Sequence, residues 1–504
     1  MSETAWRNTL VETHMTKSQA AVVSPLAAPA LDASALRSRH DALKRPYDLG
    51  DHELLERQRR LESNARSYPR RLPIALARAR GVYVEDVAGR IFLDCLAAAG
   101  TLVLGHNHPV VREAIERALR DELPLQTLDL TTPAKDAFIQ DLYSLLPGEF
   151  AARAKIQFCG PAGTDGVEAA LKLVKIATGR STLLSFHGAY HGMSHGALSL
   201  MGSLGPKRDV QGLMPDVQFL PYPYAYRCPF GIGGEAGETA GLRYIQTLLT
   251  DPESGVRAAA GMILEAVQGE GGVVPASDRW LREVRRITRT AGVPLILDEV
   301  QTGLGRTGRF FAFQHADIVP DVLVLSKAIG GGLPMSVVIY DEALDRWKPG
   351  AHAGTFRGNQ LAMAAGSATI QFVRSQRLDL HAEAMGQRLR GHLLELQRRH
   401  AFVGEVRGRG LMLGMEIVDP AGSTGPATSV GPGPRPSHGR LAAALQHACI
   451  RRGLIVELGG RDGSTMRFLP PLIITEQEID HVAEILTAAF DAVPLDQLAR
   501  RTDP

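Results

Sequence analysis

Two short apolar runs, Pro294-Leu-Ile-Leu-Asp298 and Asp321-Val-Leu-Val-Leu-Ser-Lys327, each close on one ionisable residue and are each followed by a glycine-rich loop. Neither run alternates polar with apolar residues, so each reads as a strand buried on both faces, the kind found in parallel sheets covered by helices. Open α/β sheets bind their ligands at the carboxyl edge of the strands. The layout therefore predicts a carboxylate and an amine delivered together to one edge of a parallel sheet.

Such a pair suits pyridoxal 5'-phosphate, which needs a lysine amine for covalent attachment and an acid that keeps its ring nitrogen protonated. Taken singly, Lys327 reads equally as a solvated surface lysine and Asp298 as a helix or turn cap. The segment Gly160-Pro-Ala-Gly-Thr-Asp-Gly166 links a predicted strand, 155–159, to an apolar-periodic helix from Val167, and a helix start of this kind offers free N–H groups to a phosphate. A Walker loop needs lysine directly after its last glycine, where this chain has Val167. Gly303-Leu-Gly-Arg-Thr-Gly308 matches GxGxxG in form, but it does not follow its strand directly and lacks a ribose-binding acid downstream.

Further runs at 182–186, 261–265 and 336–340, with helical patterns between them, give the alternation of a doubly wound, mostly parallel sheet. A chain of 504 residues exceeds what one core supports, so two lobes are expected. We expect residues 101–365 to form the large cofactor-binding domain. Segments 41–100 and 366–504 should form a smaller α+β domain, with a flexible loop at 419–438. Residues 1–40, rich in Ala, Ser, Thr and Pro, read as a disordered extension.

The formal charge of +2 gives no electrostatic case for nucleic acid or membrane binding. No apolar run nears the roughly 20 residues that cross a bilayer, and no export signal is expected near the start. Four scattered cysteines without a CxxC pair fit a reducing cytoplasm rather than a disulfide framework. No metal site is expected: His187 and His191 flank Gly188 in loop-like sequence, and no HExxH word occurs.

The words Leu297-Asp-Glu-Val-Gln-Thr-Gly-Leu-Gly-Arg-Thr-Gly308 and Leu325-Ser-Lys-Ala-Ile-Gly-Gly-Gly-Leu-Pro334 resemble those of the class III (ω-) aminotransferases, fold type I pyridoxal phosphate enzymes. The resemblance implies that Lys327 attaches the cofactor and shuttles the proton, while Asp298 pairs with the ring nitrogen. Tyr190 is implied to stack on the ring, Gly163 and Thr164 to cradle the phosphate, and Gln301 to lie near the phenolic oxygen. Thr355 is implied to reach the phosphate of the other subunit, hence a homodimer with shared active sites. Arg467 would clamp the 2-oxoglutarate carboxylate and Glu270 would neutralise it when an ω-amine is bound. Glu265 aligns with a further site glutamate.

Within the class, an arginine follows the Tyr-His-Gly word in 4-aminobutyrate enzymes, whereas this chain has Met193. The stretches 158–165, 190–202, 221–231 and 354–360 look instead like those of the diaminobutyrate:2-oxoglutarate aminotransferases. That likeness implies exchange of an amino group between L-2,4-diaminobutyrate and 2-oxoglutarate, with relatives serving pathways such as siderophore synthesis. Another ω-amine donor (4-aminobutyrate, ornithine or a polyamine) is the nearest alternative, and a catalytically silent scaffold is a remote one. Ala162 and Gly166 depart from the more usual Ser or Thr and Ala.

Overall fold

Strand Leu295–Asp298 is buried along its whole length, as is Val322–Leu325, and the two pair in parallel with Leu297 opposite Leu323 and Asp298 opposite Val324. They are the centre of a seven-stranded sheet in the computed structural model, which describes residues 32–43, 45–425 and 433–494. Across the sheet the strands run Ala154–Phe158, Val337–Asp341, Val322–Leu325, Leu295–Asp298, Ala259–Leu264, Thr182–Phe186 and Val217–Leu220.

The sequence has no apolar–polar alternation because both faces are covered. Ile263, Ile296, Val322, Val324 and Val338 pack with Val167, Leu171 and Val174 of helix Gly163–Thr178. Met262, Leu264, Leu295, Leu297, Leu323 and Leu325 point the other way, into a core with Trp280, Leu281, Val284 and Ile287 of helix Asp278–Thr290. That helix carries charge on its outer face and begins with Ser277 accepting from Trp280 N–H, an N-cap.

The run at 336–340, read as one more strand of the βαβ alternation, is a strand but lies antiparallel to both its neighbours. The link from Leu325 holds only a short 3-10 turn, Lys327–Gly330, which cannot carry the chain back across a sheet face, so it reverses instead. Edge strand Val217–Leu220 escaped the sequence reading, its polar Gln218 and exposed edge position weakening the apolar signal. Residues 1–31 of the expected extension lie outside the described residues. Its last part is corrected: Ala33–Asp41 is a helix, capped by Asp32 and burying Leu36 and His40. Of the 419–438 loop, 426–432 lie outside the described residues. The two ends meet, with Val418 bridged to Ser437 and Asp419 N–H donating to the Pro436 carbonyl at 2.9 Å.

The N- and C-terminal flanks share a four-stranded sheet, in which Leu454–Ile455 pairs in parallel with Ile91–Asp94 beside Tyr83–Asp86 and Leu76–Arg80. A second four-stranded sheet, Val403–Arg409, Met412–Ile417, Thr465–Phe468 and Glu457–Gly459, carries Arg467. No described helix is long and apolar enough to cross a membrane.

Gly166 shows how closely helix Gly163–Thr178 lies on the sheet. A β-carbon there would sit 2.5 Å from Ser336 Oγ and 2.9 Å from Val324 Cγ1. Gly166→Ala is therefore expected to cost about 1–3 kcal/mol, although alanine is the better helix former. Chemical denaturation checks this, and an unchanged or raised midpoint would show that Ser336 and Val324 yield freely.

Candidate active site

Parallel pairing places Asp298 at the carboxyl edge of its strand, with Lys327 three residues beyond Val324, its partner in register. Lys327 holds a left-handed backbone, φ +48°, which is strained for a residue with a β-carbon and is met at functional sites. Burial drives its amine below the ordinary lysine value, and Arg467 pushes the same way, while Glu270, Asp298 and Glu265 oppose them.

Asp298 is buried and held from two sides. Its Oδ1 accepts from Val300 N–H at 3.0 Å, and its Oδ2 faces His191 Nδ1 at 2.8 Å. His191 is the residue that sequence reasoning missed, having been weighed only as a metal ligand. Its Nε2 is buried and has no hydrogen-bond partner among the described residues. A carboxylate only accepts here, so His191 carries a proton on Nδ1 and fixes the orientation of Asp298. A histidine beside the predicted ring-stacking tyrosine was the available signal.

Helix Gly163–Thr178 begins against this edge. The Asp165 carboxylate turns back to accept from Ala162 N–H at 2.9 Å, leaving the N–H groups of the first turn, at Gly163 and Thr164, without intrahelical partners. Gly163 must be glycine because a β-carbon would lie 2.8 Å from Val300 Cγ1. Thr164 Oγ1 accepts from Ser194 N–H at 3.2 Å, tying the helix start to the loop after Tyr190.

That loop hangs from Glu265, whose oxygens accept from Tyr190 N–H at 3.0 Å and Gly269 N–H at 2.8 Å. Burial pushes the Glu265 carboxyl up to about 7, an effect Asp298 reinforces. Half-buried Tyr190 and Glu270 line one cavity of about 550 Å³, together with His187, Lys207, Arg461 and Asp462. A larger cavity, about 1100 Å³, opens at the amino edge of the strands by Pro294 and Asp321 and holds none of these groups. The smaller one has the chemistry.

Arg467 is wholly buried, with Nη1 2.7 Å from Glu270 Oε1. Among the described residues its Nε has no hydrogen-bond partner, so the guanidinium fork keeps a donor for a carboxylate and gains Nη1 if Glu270 withdraws. Burial works against the arginine's charge, but Glu270 and Glu457 more than offset it and hold the group above its ordinary value. Burial likewise raises Glu270, yet Arg467 prevails and keeps that carboxyl below the usual range. Gln301 links Arg467 to the N-terminal flank: its Oε1 is 3.5 Å from Arg467 Nη2, and its Nε2 donates to the Ala99 carbonyl at 3.2 Å. Ala97, Ala98 and Ala99 are all left-handed, a strained turn that brings that carbonyl to the site. The Gly303–Gly308 loop has a structural contact of its own. Its buried Arg306 donates to the carbonyls of Leu411 and Pro470, tying the Asp298 strand to the segment after Arg467.

Thr355 stands apart from this cluster, exposed at the start of a short 3-10 turn, Thr355–Gly358. Met193 is also largely exposed.

The family described as Aminotransferase class-III matches residues 64–490. This chain belongs to the class III aminotransferases. It is 60% identical over 438 residues to a diaminobutyrate--2-oxoglutarate aminotransferase of Rhizobium meliloti, covering 87% of this chain and 92% of that one. Identity to the enzyme of that name from Haemophilus influenzae is 50% over 430 residues, covering 85% and 93%. An amine transaminase from an uncultivated Pseudomonas species, solved in its PLP-bound form, superposes with a TM-score of 0.74 at 27% identity, covering 86% and 97%. The fold is therefore fold type I, and the cofactor of the class is pyridoxal 5'-phosphate.

The residues present fit that group: a helix start without a side-chain cap that would hold its phosphate, a buried and oriented acid that would face its ring nitrogen, and a buried lysine amine of lowered basicity that would attach it. When bound, the cofactor supplies an electrophilic carbon and a ring that takes up electron density from the substrate. Lys327→Ala is expected to keep cofactor binding but lower turnover by more than about 10,000-fold, the loss that follows if both attachment and proton transfer use this amine, as the family resemblance implies. Absorbance after dialysis and single-turnover rates check this; wild-type turnover in the variant would remove Lys327 from the chemistry.

Proposed function

We propose that this aminotransferase exchanges the 4-amino group of L-2,4-diaminobutyrate with 2-oxoglutarate, giving L-aspartate 4-semialdehyde and L-glutamate. The proposed physiological direction is towards diaminobutyrate, for secondary metabolism such as siderophore synthesis in the cytoplasm. The observation that carries the reading is the Arg467–Glu270 pair beside the cavity of Tyr190. A reaction that alternates between 2-oxoglutarate and an ω-amine must accept a carboxylate beside the reacting carbon in one half and its absence in the other. Arg467 meets the first with its free donors, and Glu270 satisfies Arg467 in the second. The names of the 60% and 50% identical relatives support the same substrates.

Diaminobutyrate carries a carboxylate and an ammonium at its far end. Arg461, Lys207 and Asp462 line the cavity with charges of both signs, and Arg461 is our candidate for the distal carboxylate. Lys327 would move the proton between the reacting carbons, and Asp298, held by His191, would keep the ring nitrogen charged.

We also propose a homodimer in which Thr355 reaches the partner's phosphate site. Exposed Thr355 lies beside Phe356, 61% exposed, and Leu128 and Leu130, 50% and 69% exposed. Thr127 N–H donates to the Gly358 carbonyl at 3.2 Å and Arg357 meets Asp129 at 2.6 Å, so these segments form one apolar surface suited to a second copy.

Arg467→Ala is expected to raise the KM for 2-oxoglutarate roughly 10- to 100-fold, the loss of a charge-assisted clamp, with a change below about 3-fold for diaminobutyrate. Equal effects on both substrates would reject the switch. Arg461→Ala should give the reverse split, weakening diaminobutyrate and sparing 2-oxoglutarate. Glutamate formation from a panel of diaminobutyrate, 4-aminobutyrate, ornithine and putrescine tests the donor itself, and preference for another amine would overturn it while leaving the class intact.

A further inference from the structure

Far from Lys327, helix Ala33–Asp41 ends against helix Glu476–Asp491, and there His40 Nδ1, His481 Nε2 and an Asp41 carboxylate oxygen all lie within 4.8 Å of one another. Hydrogen-bond partners decide which ring nitrogens carry protons. His40 Nε2 lies 2.8 Å from the Gly453 carbonyl, which can only accept, so the proton sits on Nε2 and the neutral ring presents a lone pair at Nδ1. His481 Nδ1 faces Glu484 Oε2 at 3.1 Å, which places the proton of the neutral ring on Nδ1 and its lone pair on Nε2. These two lone pairs face each other across 2.9 Å, and Asp41 Oδ1 is 3.5 Å from the same His481 nitrogen.

With both rings in these neutral forms, three acceptors converge with no donor between them among the described residues, an arrangement that suits a bound cation. His40 is buried, only 2% exposed. Each imidazole also gives its remote N–H to an oxygen, a carbonyl for His40 and a carboxylate for His481, the arrangement that orients histidines on metals. Ligands about 2.0–2.1 Å from a tetrahedral ion stand roughly 3.3 Å apart. Two separations, 2.9 and 3.5 Å, bracket that spacing, while His40 and Asp41 stand wider, within 4.8 Å, so the Asp41 side chain on the helix end must swing in to complete the site. A cavity of about 310 Å³ adjoins the three side chains and leaves room for a fourth ligand such as water. Arg37, 3.5 Å from Asp41 Oδ2, is exposed and touches the other carboxylate oxygen.

We propose that His40, Asp41 and His481 bind a divalent transition-metal ion of the zinc class, stapling the N-terminal helix to the C-terminal one. Two imidazoles and one carboxylate favour zinc over calcium or magnesium. Through the Gly453 carbonyl the staple also reaches the sheet shared by the two flanks, since that oxygen accepts from Leu93 N–H at 2.7 Å. The ion stabilises the fold by mass action and takes no part in amino transfer.

The holoenzyme, stripped with a chelator and titrated with Co²⁺ or Zn²⁺, tests this. We expect one site per chain, the intense visible absorption of tetrahedral Co²⁺, a higher melting temperature with Zn²⁺, and unchanged transamination. His481→Gln and Asp41→Asn, both on accessible side chains, should each weaken Co²⁺ binding at least about tenfold and abolish the Zn²⁺-dependent melting shift. Absence of the Co²⁺ band, or a band that survives in both variants, would overturn the site. So would a melting temperature that Zn²⁺ leaves unchanged.

Discussion

Everything at the site depends on one register: Asp298 opposite Val324 in parallel strands. A parallel pair puts both strand ends at the same edge, so a carboxylate closing one strand and an amine just past the other arrive together. An antiparallel pair would send them to opposite ends of the sheet. The register is secured by burial on both faces, because a one-residue slip would exchange Leu297 and Leu323 with Ile296 and Val322 between two differently shaped cores. The reversal into Val337–Asp341 follows immediately, and the loop that makes it starts at the left-handed Lys327.

Around that edge three buried charged groups, Asp298, Glu265 and Arg467, are each given partners. Asp298 has His191 and Val300 N–H, Glu265 has two backbone N–H groups, and Arg467 has Glu270 with Glu457 nearby. An unpaired buried charge costs several kcal/mol, so each such group needs these partners for the fold to survive at all. The same partners fix the orientation of Asp298, Glu265 and Arg467. Buried Glu299 extends the scheme, its carboxylate gathering Ala312 and Phe313 N–H at 2.8 Å each and so shaping the chain after the Gly303–Gly308 loop.

The sequence made the central strands legible because their apolar runs are unbroken, and it made Lys327 and Asp298 legible because each ends such a run. Direction was not legible: Val337–Asp341 looks apolar whichever way it runs, and only the shortness of the preceding link settles it. Edge strand Val217–Leu220 and the helix at Ala33–Asp41 were hidden for a related reason. Each buries few residues, and their signal comes from contacts made by distant segments, such as His40 with His481. His191 was hidden because its partner, Asp298, lies 107 residues away.

The proposed substrate switch draws on an asymmetry between its two members. Arg467 has no side-chain exposure, whereas 37% of the Glu270 side chain is accessible. Arg467 is also anchored within a strand, between Gly414 and Glu457 in register, and a β-carbon at Gly459 would lie only 2.7 Å from its Cδ. Moving it would require the sheet to open. Glu270 sits instead in the loop between short paired strands, at the wall of the cavity, where water can take over its solvation as it leaves. Exchange of carboxylates on a fixed guanidinium is then close to balanced in charge, since an incoming 2-oxoglutarate replaces one anion with another. The arginine supplies a constant socket, and the cost of switching falls on the group best placed to meet water.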